Sequence, residues 1–481
     1  MAFYPGVSIQ AQKGIDPEAY CAAAPHEFSR EGQGQEPVAL AAGFFYPERE
    51  GQGRIVIWEP GKSAQEEPFS FHSLRDKETK TNLKQTLYRM LSRQTGKKLP
   101  WGTLTGIRPT KIPMAMLEEG KSREEILYHM EEELLCSREK AVLSLEIAQR
   151  EKEILRELDY ENGYSLYIGI PFCPTTCLYC SFTSYPIASW EKRMEEYLGA
   201  LFREIDYTAE YFRDKRLNTI YFGGGTPTTL SAECLDRLLG RVEEKLDLRY
   251  LKEYTVEAGR PDSVTEEKLD VLRRHPVTRI SINPQTMKDE TLQIIGRRHT
   301  VRQVKEVYFM ARDKGFDNIN MDLILGLPNE DEEDVRHTME EIEALGPDNV
   351  TIHSLALKRA ARLNMFREAY KGLKMENTEA LMDMTAGYAA RMGMEPYYLY
   401  RQKNMAGNLE NVGYAVPGKA GIYNILIMEE KQTIVALGAG ATTKAVFADR
   451  IERAENVKDV ATYIANIEEM IARKKRLFGQ K

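Results

Sequence analysis

The sequence predicts an α/β protein with a partial (β/α)6 barrel of the TIM type, preceded by an α+β domain and followed by a C-terminal extension. From residue 165 onward, short apolar strand-like segments alternate with longer helical segments. Polar residues and glycines recur at the points where these strands end. Strands that alternate with helices imply a parallel sheet with right-handed crossovers, and the loops at its carboxyl edge usually carry the functional groups.

The first 160 residues lack this alternation and are predicted to form an accessory α+β domain. Residues 38–45 and 54–58 are apolar, and a turn rich in glutamate and glycine joins them, which is typical of two paired strands. Residues 79–93 are predicted to form a helix. We find no set of catalytic side chains in this region, so its role stays open.

A loop and two helices are predicted to lead from this domain into the barrel. Residues 98–111 are rich in proline and glycine, which interrupt regular structure. Residues 122–158 are highly charged and helical in pattern, which predicts two helices. Arg108 and Lys111 in the loop could contact an anion, but we interpret them as surface charges.

The barrel domain is predicted over residues 161–356, and residues 357–481 are predicted to form a region that covers the substrate. The candidate strands of the barrel are residues 165–170, 218–223, 253–258, 278–283, 317–324 and 349–355. The candidate helices between them are residues 190–212, 231–245, 265–274, 289–313 and 331–345. Beyond residue 356 the pattern indicates further helices and strands without a clear order.

The composition predicts a cytoplasmic globular protein. The chain has 481 residues, of which 42% are hydrophobic, so it is long enough to bury a large core. Its formal charge of −7 provides no general attraction to nucleic acid. It has no apolar run long enough to span a bilayer and no N-terminal secretion signal, and its six cysteines are sparse. We therefore expect neither a membrane span nor a nucleic-acid partner.

Three cysteines, Cys173, Cys177 and Cys180, follow the first barrel strand. Pro171 ends that strand and Pro174 keeps the next residues out of a helix, so the cysteines are predicted to lie on a loop. Three thiolates in the spacing C-x3-C-x2-C can hold three corners of an iron–sulfur cluster and leave one iron open to a reactant. A structural zinc site is the alternative, but it takes four ligands and the sequence has no second pair.

Other glycines and polar residues follow the later strands. Gly223, Gly224 and Gly225 let the backbone approach a ligand closely, although a tight turn into a helix explains them as well. The further candidates are Thr226, Glu257, Gln285, Asp322 and the pair Arg297 and Arg298. Each of these could serve a structural or surface role. Their recurrence at successive strand ends predicts one mouth ringed by polar groups.

Together these segments resemble the radical S-adenosylmethionine superfamily, and within it the oxygen-independent coproporphyrinogen III oxidase group, most closely its HemZ-type dehydrogenases. The resemblance covers about residues 165–450. It rests on Tyr-Ile-Gly-Ile-Pro-Phe-Cys-x3-Cys-x2-Cys, Gly-Gly-Gly-Thr-Pro, Ile-Gly-Arg-Arg-His, Met-Asp-Leu-Ile-Leu-Gly-Leu-Pro and Leu-Gly-Ala-Gly-Ala. Residues 397–414 are similar to the HemZ branch alone. The resemblance favours the iron–sulfur interpretation over zinc.

The resemblance implies a role for each site residue. The three cysteines would ligate a 4Fe–4S cluster, and Phe172 would pack beside the adenine of S-adenosylmethionine. Tyr167, which matches a tyrosine near the cluster, and Glu257 would take part in catalysis. The positions implied to contact S-adenosylmethionine, in one copy or two, are Tyr167, Phe172, Gly223, Gly224, Gly225, Thr226, Glu257, Gln285, Arg297 and Asp322.

The resemblance also implies a reaction and its partners. Reductive cleavage of S-adenosylmethionine would give a 5′-deoxyadenosyl radical, which takes hydrogen from a propionate of coproporphyrinogen III. Loss of carbon dioxide and one electron then leaves a vinyl group, and the product is protoporphyrinogen IX. The implied partners are a tetrapyrrole substrate and an unidentified reductant such as flavodoxin or ferredoxin. The candidate anchors for the substrate carboxylates, with helix-surface charge as the alternative for the first three, are Lys358, Arg359, Arg362, Arg401 and Lys403.

Three departures from the family pattern bear on the substrate. Gly169 replaces a histidine of the well-studied oxidases, Phe182 replaces their fourth cysteine, and their C-terminal Arg-Asn-Phe-x-Gly-Tyr element is not evident. A haem-binding chaperone of the HemW type is the first alternative. Its His-Asn-x-x-Tyr-Trp signature corresponds here to Tyr423-Asn-Ile-Leu-Ile-Met428, which lacks the His, Tyr and Trp. Another radical tetrapyrrole-modifying enzyme, such as a methyltransferase, is the second.

Overall fold

The computed structural model describes most of the chain. The described residues are 41–58, 63–182, 184–356, 372–402, 405, 407 and 409–479. The chain divides into two compact units, the first formed by Met1–Gly106 with Ala115–Leu145 and the second by Ile107–Met114 with Glu146–Lys481. The boundaries at residues 160 and 356 stay predictions.

The first unit contains an antiparallel sheet with a helix packed against it. The strands are β1 (Ala41–Phe45), β2 (Gly51–Trp58) and β3 (Gln65–Phe71). They lie in the order β1–β2–β3. Helix Lys77–Thr95 contributes Met90 to the core that the sheet and the helix share. The other buried members of this core are Ile55, Ile57, Phe69 and Phe71.

The sequence predicts two of these three strands and the helix. Residues 38–40 of the first predicted strand lie outside the described residues. The third strand is missing from the prediction because Gln65–Phe71 contains two glutamates and a proline, which are uncommon in strands. The proline is tolerated because β3 lies at the edge of the sheet, where a missing N–H group breaks no ladder.

The connection to the barrel is more helical than predicted. Helix Lys111–Glu118 begins where the predicted loop was expected to end. The region predicted to form two helices contains Arg123–Tyr128 and Arg138–Arg156, and a π-helical turn, His129–Glu133, extends the first. The first helix begins with a capping box in which Ser122 and Glu125 satisfy each other's backbone N–H groups.

The second unit is built around one sheet that has eleven strands among the described residues. Those of the barrel are β4 (Gly163–Ile170), β7 (Arg216–Gly224), β8 (Glu253–Glu257), β9 (Arg279–Ser281), β10 (Ile319–Leu325) and β11 (Asn349–Ser354). Two short strands, β5 (Phe172–Cys173) and β6 (Tyr185–Pro186), pair separately. The C-terminal strands are β12 (Glu395–Tyr400), β13 (Asn411–Ala415), β14 (Thr433–Leu437), β15 (Thr442–Val446) and β16 (Ile451–Glu455).

The pairing of these strands confirms the predicted α/β fold with a partial barrel. The strand order is β12–β13–β11–β10–β9–β8–β7–β4–β14–β15–β16. From β4 to β11, neighbouring strands pair in parallel. The C-terminal region extends both edges, because β14 pairs in parallel with β4 and β13 pairs antiparallel with β11.

Helices connect the parallel strands and cover the sheet. In the second unit they are Met194–Tyr211, Ala232–Lys245, Glu266–Arg274, Asp289–Ile294, Val301–Asp313, Glu332–Leu345, Glu379–Arg391, Ile422–Glu429, Val460–Ala465 and Ile467–Leu477. Within the described ranges, every helix is too short or too polar to cross a lipid bilayer.

One predicted helix, residues 289–313, is wrong, because the structure contains two helices there. The first ends at Ile294, and Gly296 follows with a φ of 77°, a conformation that favours glycine. The second begins at Thr300, whose side chain accepts from the Gln303 N–H in a capping box. The break matters for the site because Arg297 lies between the two helices.

A buried carboxylate, Glu204, holds the C-terminal elements against the barrel. It accepts hydrogen bonds from the Gly438 N–H (2.8 Å), Asn456 Nδ2 (2.9 Å), Tyr463 Oη (2.6 Å) and Lys474 Nζ (2.5 Å). Glu204 and Lys474 are almost completely buried, and a buried charge pair is tolerated only when it is hydrogen-bonded this thoroughly. The network joins helix Ile467–Leu477 and the β14–β15 loop to helix Met194–Tyr211.

Candidate active site

A cavity of about 360 Å³ lies at the carboxyl ends of the parallel strands, where barrel proteins place their sites. The structure brings most of the predicted site residues together in its wall. Those that line the cavity are Cys173, Cys177, Cys180, Gly224, Gly225, Thr226, Glu257, Gln285, Arg297 and Asp322. Tyr167, Phe172 and Gly223 do not line it.

The loop that carries the three cysteines is fixed to the break between helices Asp289–Ile294 and Val301–Asp313. The Leu178 N–H donates to the Ile295 carbonyl at 2.9 Å. The Thr175 hydroxyl donates to the Gly296 carbonyl at 3.0 Å. The position of the thiols therefore depends on a segment more than a hundred residues away in the chain.

Two buried arginines lie beside the same loop, and Arg260 supports it directly. Arg260 donates from Nη1 to the Thr175 carbonyl at 3.2 Å and to Cys177 Sγ at 3.5 Å. Its other side is held by Asp262, with Nη2 and Oδ2 2.7 Å apart. Arg297 donates from Nη1 to the Asn283 carbonyl at 2.5 Å, while its Nε is buried without a hydrogen-bond partner. Both guanidinium groups favour negative charge on the neighbouring sulfur atoms.

Two of the three thiols, those of Cys173 and Cys180, have a raised pKa and favour the protonated form. Burial raises the pKa of Cys180 to about 11. Burial also raises the pKa of Cys173, although Arg260 and Arg297 act in the opposite direction. Binding of iron must therefore displace protons from these groups, so cluster assembly is expected to be favoured at higher pH.

The donor set in the cavity wall is three thiols from one loop, the ligand type that iron–sulfur clusters take. Among the described residues, no three Cys, His, Asp or Glu side chains are grouped around one point. A tetrahedral zinc ion needs its ligands to converge on one point. The corners of an iron–sulfur cube are separated, so each corner takes one thiolate from a loop that surrounds it.

The glycine segment is required by the close approach of the cysteine loop. A Cβ atom on Gly225 would lie 2.5 Å from the Phe172 carbonyl oxygen and 2.8 Å from that of Ile170. The Gly225 N–H donates to the Ile170 carbonyl at 2.8 Å, and the Thr226 N–H donates to the Phe172 carbonyl at 2.7 Å. Gly224 has a φ of 104°, which a side chain would strain.

The structure places Tyr167 and Phe172 in aromatic clusters beside the cavity. Tyr167 stacks on Tyr221 and on Tyr423, with ring centroids 6.3 Å apart in each case. Phe172 is fully buried and contacts Trp190 and Tyr197, with ring centroids 6.1 and 5.1 Å away. Contact of Phe172 with adenine and a catalytic role for Tyr167 stay predictions. In this arrangement both residues support the first strand and its loop.

Glu257 lines the cavity and is hydrogen-bonded within it. The Tyr221 hydroxyl donates to Glu257 Oε1 at 2.6 Å. Burial raises the pKa of Glu257 to about 7, and the nearby Asp322 adds to this effect while the Tyr221 hydrogen bond opposes it. Glu257 can therefore carry or release a proton near neutral pH, as a group in a reactive site often does.

The Glu257→Gln substitution is expected to raise the free energy of unfolding at pH 8. A raised pKa means that the folded protein binds this proton more tightly than the unfolded chain, so stability is lost as the pH rises from about 4.5 to above 7. We expect a gain of about 1–3 kcal/mol at pH 8, measured by urea unfolding of the cluster-free protein. The gain should largely disappear at pH 4.5.

The exposed Glu267→Gln variant controls for the loss of one carboxylate from the surface. An equal gain at both pH values for Glu257→Gln would contradict the raised pKa.

Asp322 and Gln285 lie next to each other in the wall. Asn320 Nδ2 donates to Asp322 Oδ1 at 2.7 Å, and His353 Nε2 lies 3.8 Å from Oδ2. Although burial acts to raise the pKa of Asp322, the nearby His353 and the hydrogen bond from Asn320 lower it overall. Gln285 has a φ of 70°, and its Oε1 is buried without a hydrogen-bond partner. Strain of this kind in a residue other than glycine is common at ligand sites.

The sequence analysis does not identify several residues that line the cavity. They are Tyr179, Arg260, Arg279 and His353. Tyr179 lies between two of the cysteines, so its neighbours in the sequence already point to it. The others lie within or just after strands, as charged or titratable residues among apolar ones, which is the signal that identified Asp322.

The structure places none of the predicted basic anchors in the cavity wall among the residues that it describes. Lys358, Arg359, Arg362 and Lys403 lie outside the described residues. Arg401 is buried and does not line the cavity, and Arg298 is exposed while Arg297 faces inward. Arg108 and Lys111 both form ion pairs with Glu430, so neither is a free surface charge.

Comparison with known proteins identifies relatives of the whole barrel. Residues 167–342 match the model of the radical SAM superfamily. The chain is 43% identical over 393 residues to the oxygen-independent coproporphyrinogen-III oxidase-like protein HemZ of Bacillus subtilis (strain 168), which covers 80% of this chain and 78% of that protein. It is 33% identical over 284 residues to the heme chaperone HemW of Lactococcus lactis subsp. lactis (strain IL1403), which covers 58% of this chain and 69% of that protein.

A solved structure shares the fold. Coproporphyrinogen III oxidase (HemN) from Escherichia coli, described as a radical SAM enzyme, matches with a TM-score of 0.53. The match covers 66% of this chain and 73% of that chain at 21% sequence identity. At this identity the likeness bears on the architecture alone, and it agrees with the parallel sheet described above.

Proposed function

The chain belongs to the radical SAM superfamily, in its group of oxygen-independent coproporphyrinogen III oxidase-like proteins, and from this premise we propose that it is an enzyme of tetrapyrrole synthesis. Its substrate is coproporphyrinogen III. Its reaction is the oxidative decarboxylation of two propionates to vinyl groups, which gives protoporphyrinogen IX. The family implies a 4Fe–4S cluster and S-adenosylmethionine, which together supply a carbon radical able to take a hydrogen atom.

One observation supports this proposal most strongly. A single cavity is lined by three thiols, by two arginines next to them and by the backbone of Gly224 and Gly225. The thiols supply the ligands for a cluster, and the segment at Gly224 and Gly225 leaves room for a ligand close to the backbone. Unpaired polar atoms on Arg297 and Gln285 remain for a bound molecule.

Different side chains would hold the cluster and orient the cofactor. Cys173, Cys177 and Cys180 would hold the cluster, and Arg260, which donates to Cys177 Sγ, would stabilise negative charge on that sulfur. Arg297 and Gln285 orient the cofactor through the atoms that lack partners in the protein.

Two carboxyl groups complete the wall with different protonation. Glu257 exchanges its proton near neutral pH, so it can donate to a ligand or accept from one. Asp322 stays ionised because His353 and Asn320 contact it, so it accepts hydrogen bonds only. Hydroxyl or ammonium groups of a ligand are suitable donors to Asp322.

The proposed reaction also needs redox partners. One electron per propionate passes to an acceptor, and the reductant that starts the cycle is of the flavodoxin or ferredoxin kind.

Haem carriage of the HemW type is the competing proposal, since relatives with that name share the core. The segment that corresponds to the haem-binding signature forms helix Ile422–Glu429. Its Tyr423 is buried in the stack with Tyr167 and Tyr221, while Asn424 and Met428 line the cavity. The segment lacks the histidine of the signature, and its tyrosine lies in the stack outside the cavity wall, which favours the enzyme.

An anaerobic assay tests the proposal. Protein reconstituted with iron and sulfide is incubated with coproporphyrinogen III, S-adenosylmethionine and reductant, and the products are separated as oxidised porphyrins. We expect protoporphyrin to form with the release of 5′-deoxyadenosine. Protein that holds stoichiometric haem and converts no coproporphyrinogen would support the carrier instead. Release of 5′-deoxyadenosine without protoporphyrin would point to a different tetrapyrrole reaction.

A further inference from the structure

The inner end of the cavity is formed by residues deeper in the barrel than the cysteine loop. Arg279 pairs with Thr255, and Thr255 pairs with Tyr221, so these three residues lie at one level of the sheet. Glu257 lies two residues further along β8. At about 3.3 Å per residue, Arg279 is roughly 7 Å below Glu257. We call the group Tyr221, Arg279, Asn320, Tyr398, Asn424 and Met428 the cavity floor; all six line the cavity.

Arg279 is the charged residue of this floor, and it lacks hydrogen bonds among the described residues. It is 1% exposed, and its Nε and Nη2 are buried without a partner. A buried guanidinium has five N–H donors, and each one left unpaired is costly. Most buried polar groups are satisfied by protein or by a bound molecule, so this one calls for a partner.

Glu253, whose charge acts on Arg279, is already engaged by other donors. Glu253 accepts from the Ile422 N–H at 2.5 Å on one oxygen. Its other oxygen accepts from the Thr255 hydroxyl at 3.1 Å and from the Tyr423 N–H at 3.4 Å. The carboxylate therefore caps helix Ile422–Glu429 and balances the charge of Arg279 from a distance, without hydrogen-bonding to it.

The other polar groups around Arg279 are also engaged. Asn424 Nδ2 donates to the Tyr397 hydroxyl at 3.2 Å, and the Tyr221 hydroxyl donates to Glu257. Asn320 Nδ2 donates to Asp322. The floor therefore presents a fixed cation with open donors to a cavity whose other end holds the cysteines.

We propose that the cavity floor is a carboxylate-binding site in which Arg279 receives one carboxylate of a bound ligand. A guanidinium fork matches a carboxylate in shape and can hold both of its oxygens. This inference rests on the proposed function, which supplies two ligands with that chemistry. One is a propionate of the tetrapyrrole, and the other is the methionyl carboxylate of a second copy of S-adenosylmethionine, since the first would bind at the cysteine end of the cavity. A propionate side chain is slender enough to enter the part of the cavity that the tetrapyrrole macrocycle does not fill.

Binding measurements on the reconstituted, cluster-containing protein test the proposal without turnover. Dissociation constants are measured for coproporphyrin III by fluorescence and for S-adenosylmethionine by equilibrium dialysis. We expect Arg279→Gln to weaken one of the two ligands about tenfold or more, since a charge-assisted pair is lost. Arg279→Lys, which keeps the charge but loses the fork, should weaken the same ligand less. The ligand whose dissociation constant increases in the Arg279 variants is the one that supplies the carboxylate.

The exposed Arg298→Gln variant is the matched control, because it removes an arginine of the same domain outside the cavity. Iron content and circular dichroism show whether each variant holds its cluster and fold.

A second variant keeps the test decisive if Arg279→Gln does not fold. Asn424 Nδ2 and Arg279 Cζ both lie within 3.5 Å of the point where a Cβ of Gly421 would stand. Asn424→Asp therefore places a carboxylate within reach of Arg279 and should compete with the ligand. Unchanged dissociation constants for both ligands in Arg279→Lys and Asn424→Asp would overturn the proposal and leave a floor filled by water. Absence of porphyrin binding in the wild type would contradict the proposed function, while the S-adenosylmethionine arm still tests Arg279.

Discussion

Replacement of Cys177 by alanine is expected to abolish cluster binding and, with it, the release of 5′-deoxyadenosine. Wild-type protein reconstituted without oxygen should contain about four irons per chain. Cys177 is the most buried of the three cysteines in the cavity and accepts a hydrogen bond from Arg260. Without its thiolate, two ligands remain for a cluster that needs three, so we expect less than about one iron per chain.

The iron assay and the nucleoside assay are made on the same preparations. Cys234→Ala is the matched control, since Cys234 lies on helix Ala232–Lys245 and does not line the cavity. It should retain full iron content and full cleavage. A Cys177→Ala protein that keeps its iron and still cleaves S-adenosylmethionine would refute the ligand assignment.

Replacement of Gly225 by alanine is expected to have the next largest effect, because it acts on the cysteine loop through the backbone. The added Cβ would lie 2.5 Å from the Phe172 carbonyl oxygen, closer than real Cβ contacts allow. Neither carbonyl can move alone, since Gly225 and Thr226 donate hydrogen bonds to them. We expect the loop to shift, the iron content to fall by about half or more, and the free energy of unfolding to decrease by about 1–3 kcal/mol.

Gly240→Ala provides the control for this change. Gly240 lies inside helix Ala232–Lys245, and a Cβ there would meet nothing within 4 Å. Alanine should stabilise the helix by about 0.5–1 kcal/mol and leave the iron content unchanged. Urea unfolding and the iron assay compare the two variants. Equal stability and equal iron content in Gly225→Ala and wild type would show that the loop can accommodate a side chain.

The parallel strands could be predicted because their signal is local. Apolar runs such as Ser165–Ile170 in β4, each followed by an amphipathic helix, repeat along the barrel and need no long-range information. The break in the predicted helix at residues 289–313 was missed because Gly296 alone is a weak stop signal. The third strand of the first unit was missed because its proline and glutamates suit an edge, which a local pattern does not identify.

The site could be predicted in part for the same reason. Cys173, Cys177 and Cys180 lie on one loop, so their spacing alone indicates that they act together. Arg279 reaches the cavity floor through the register of β9 against β8, which places it at the level of Thr255. Sequence periodicity predicts that a strand exists, but it does not determine which residues of neighbouring strands share a level. The unpaired state of Arg279 is likewise visible only from its surroundings.

The position of β14 has a consequence for the timing of maturation at the ribosome. β4 leads directly into the cysteine loop, yet one of its edges pairs with β14, which follows much later in the chain. In the β14–β15 loop, Gly438 packs so tightly on the Gly169 carbonyl that a Cβ there would lie 2.3 Å from its oxygen. Until β14 is synthesised, this edge of β4 has no neighbour and remains able to pair with other chains. The cysteine loop is therefore expected to reach its final position only after β14 has been made.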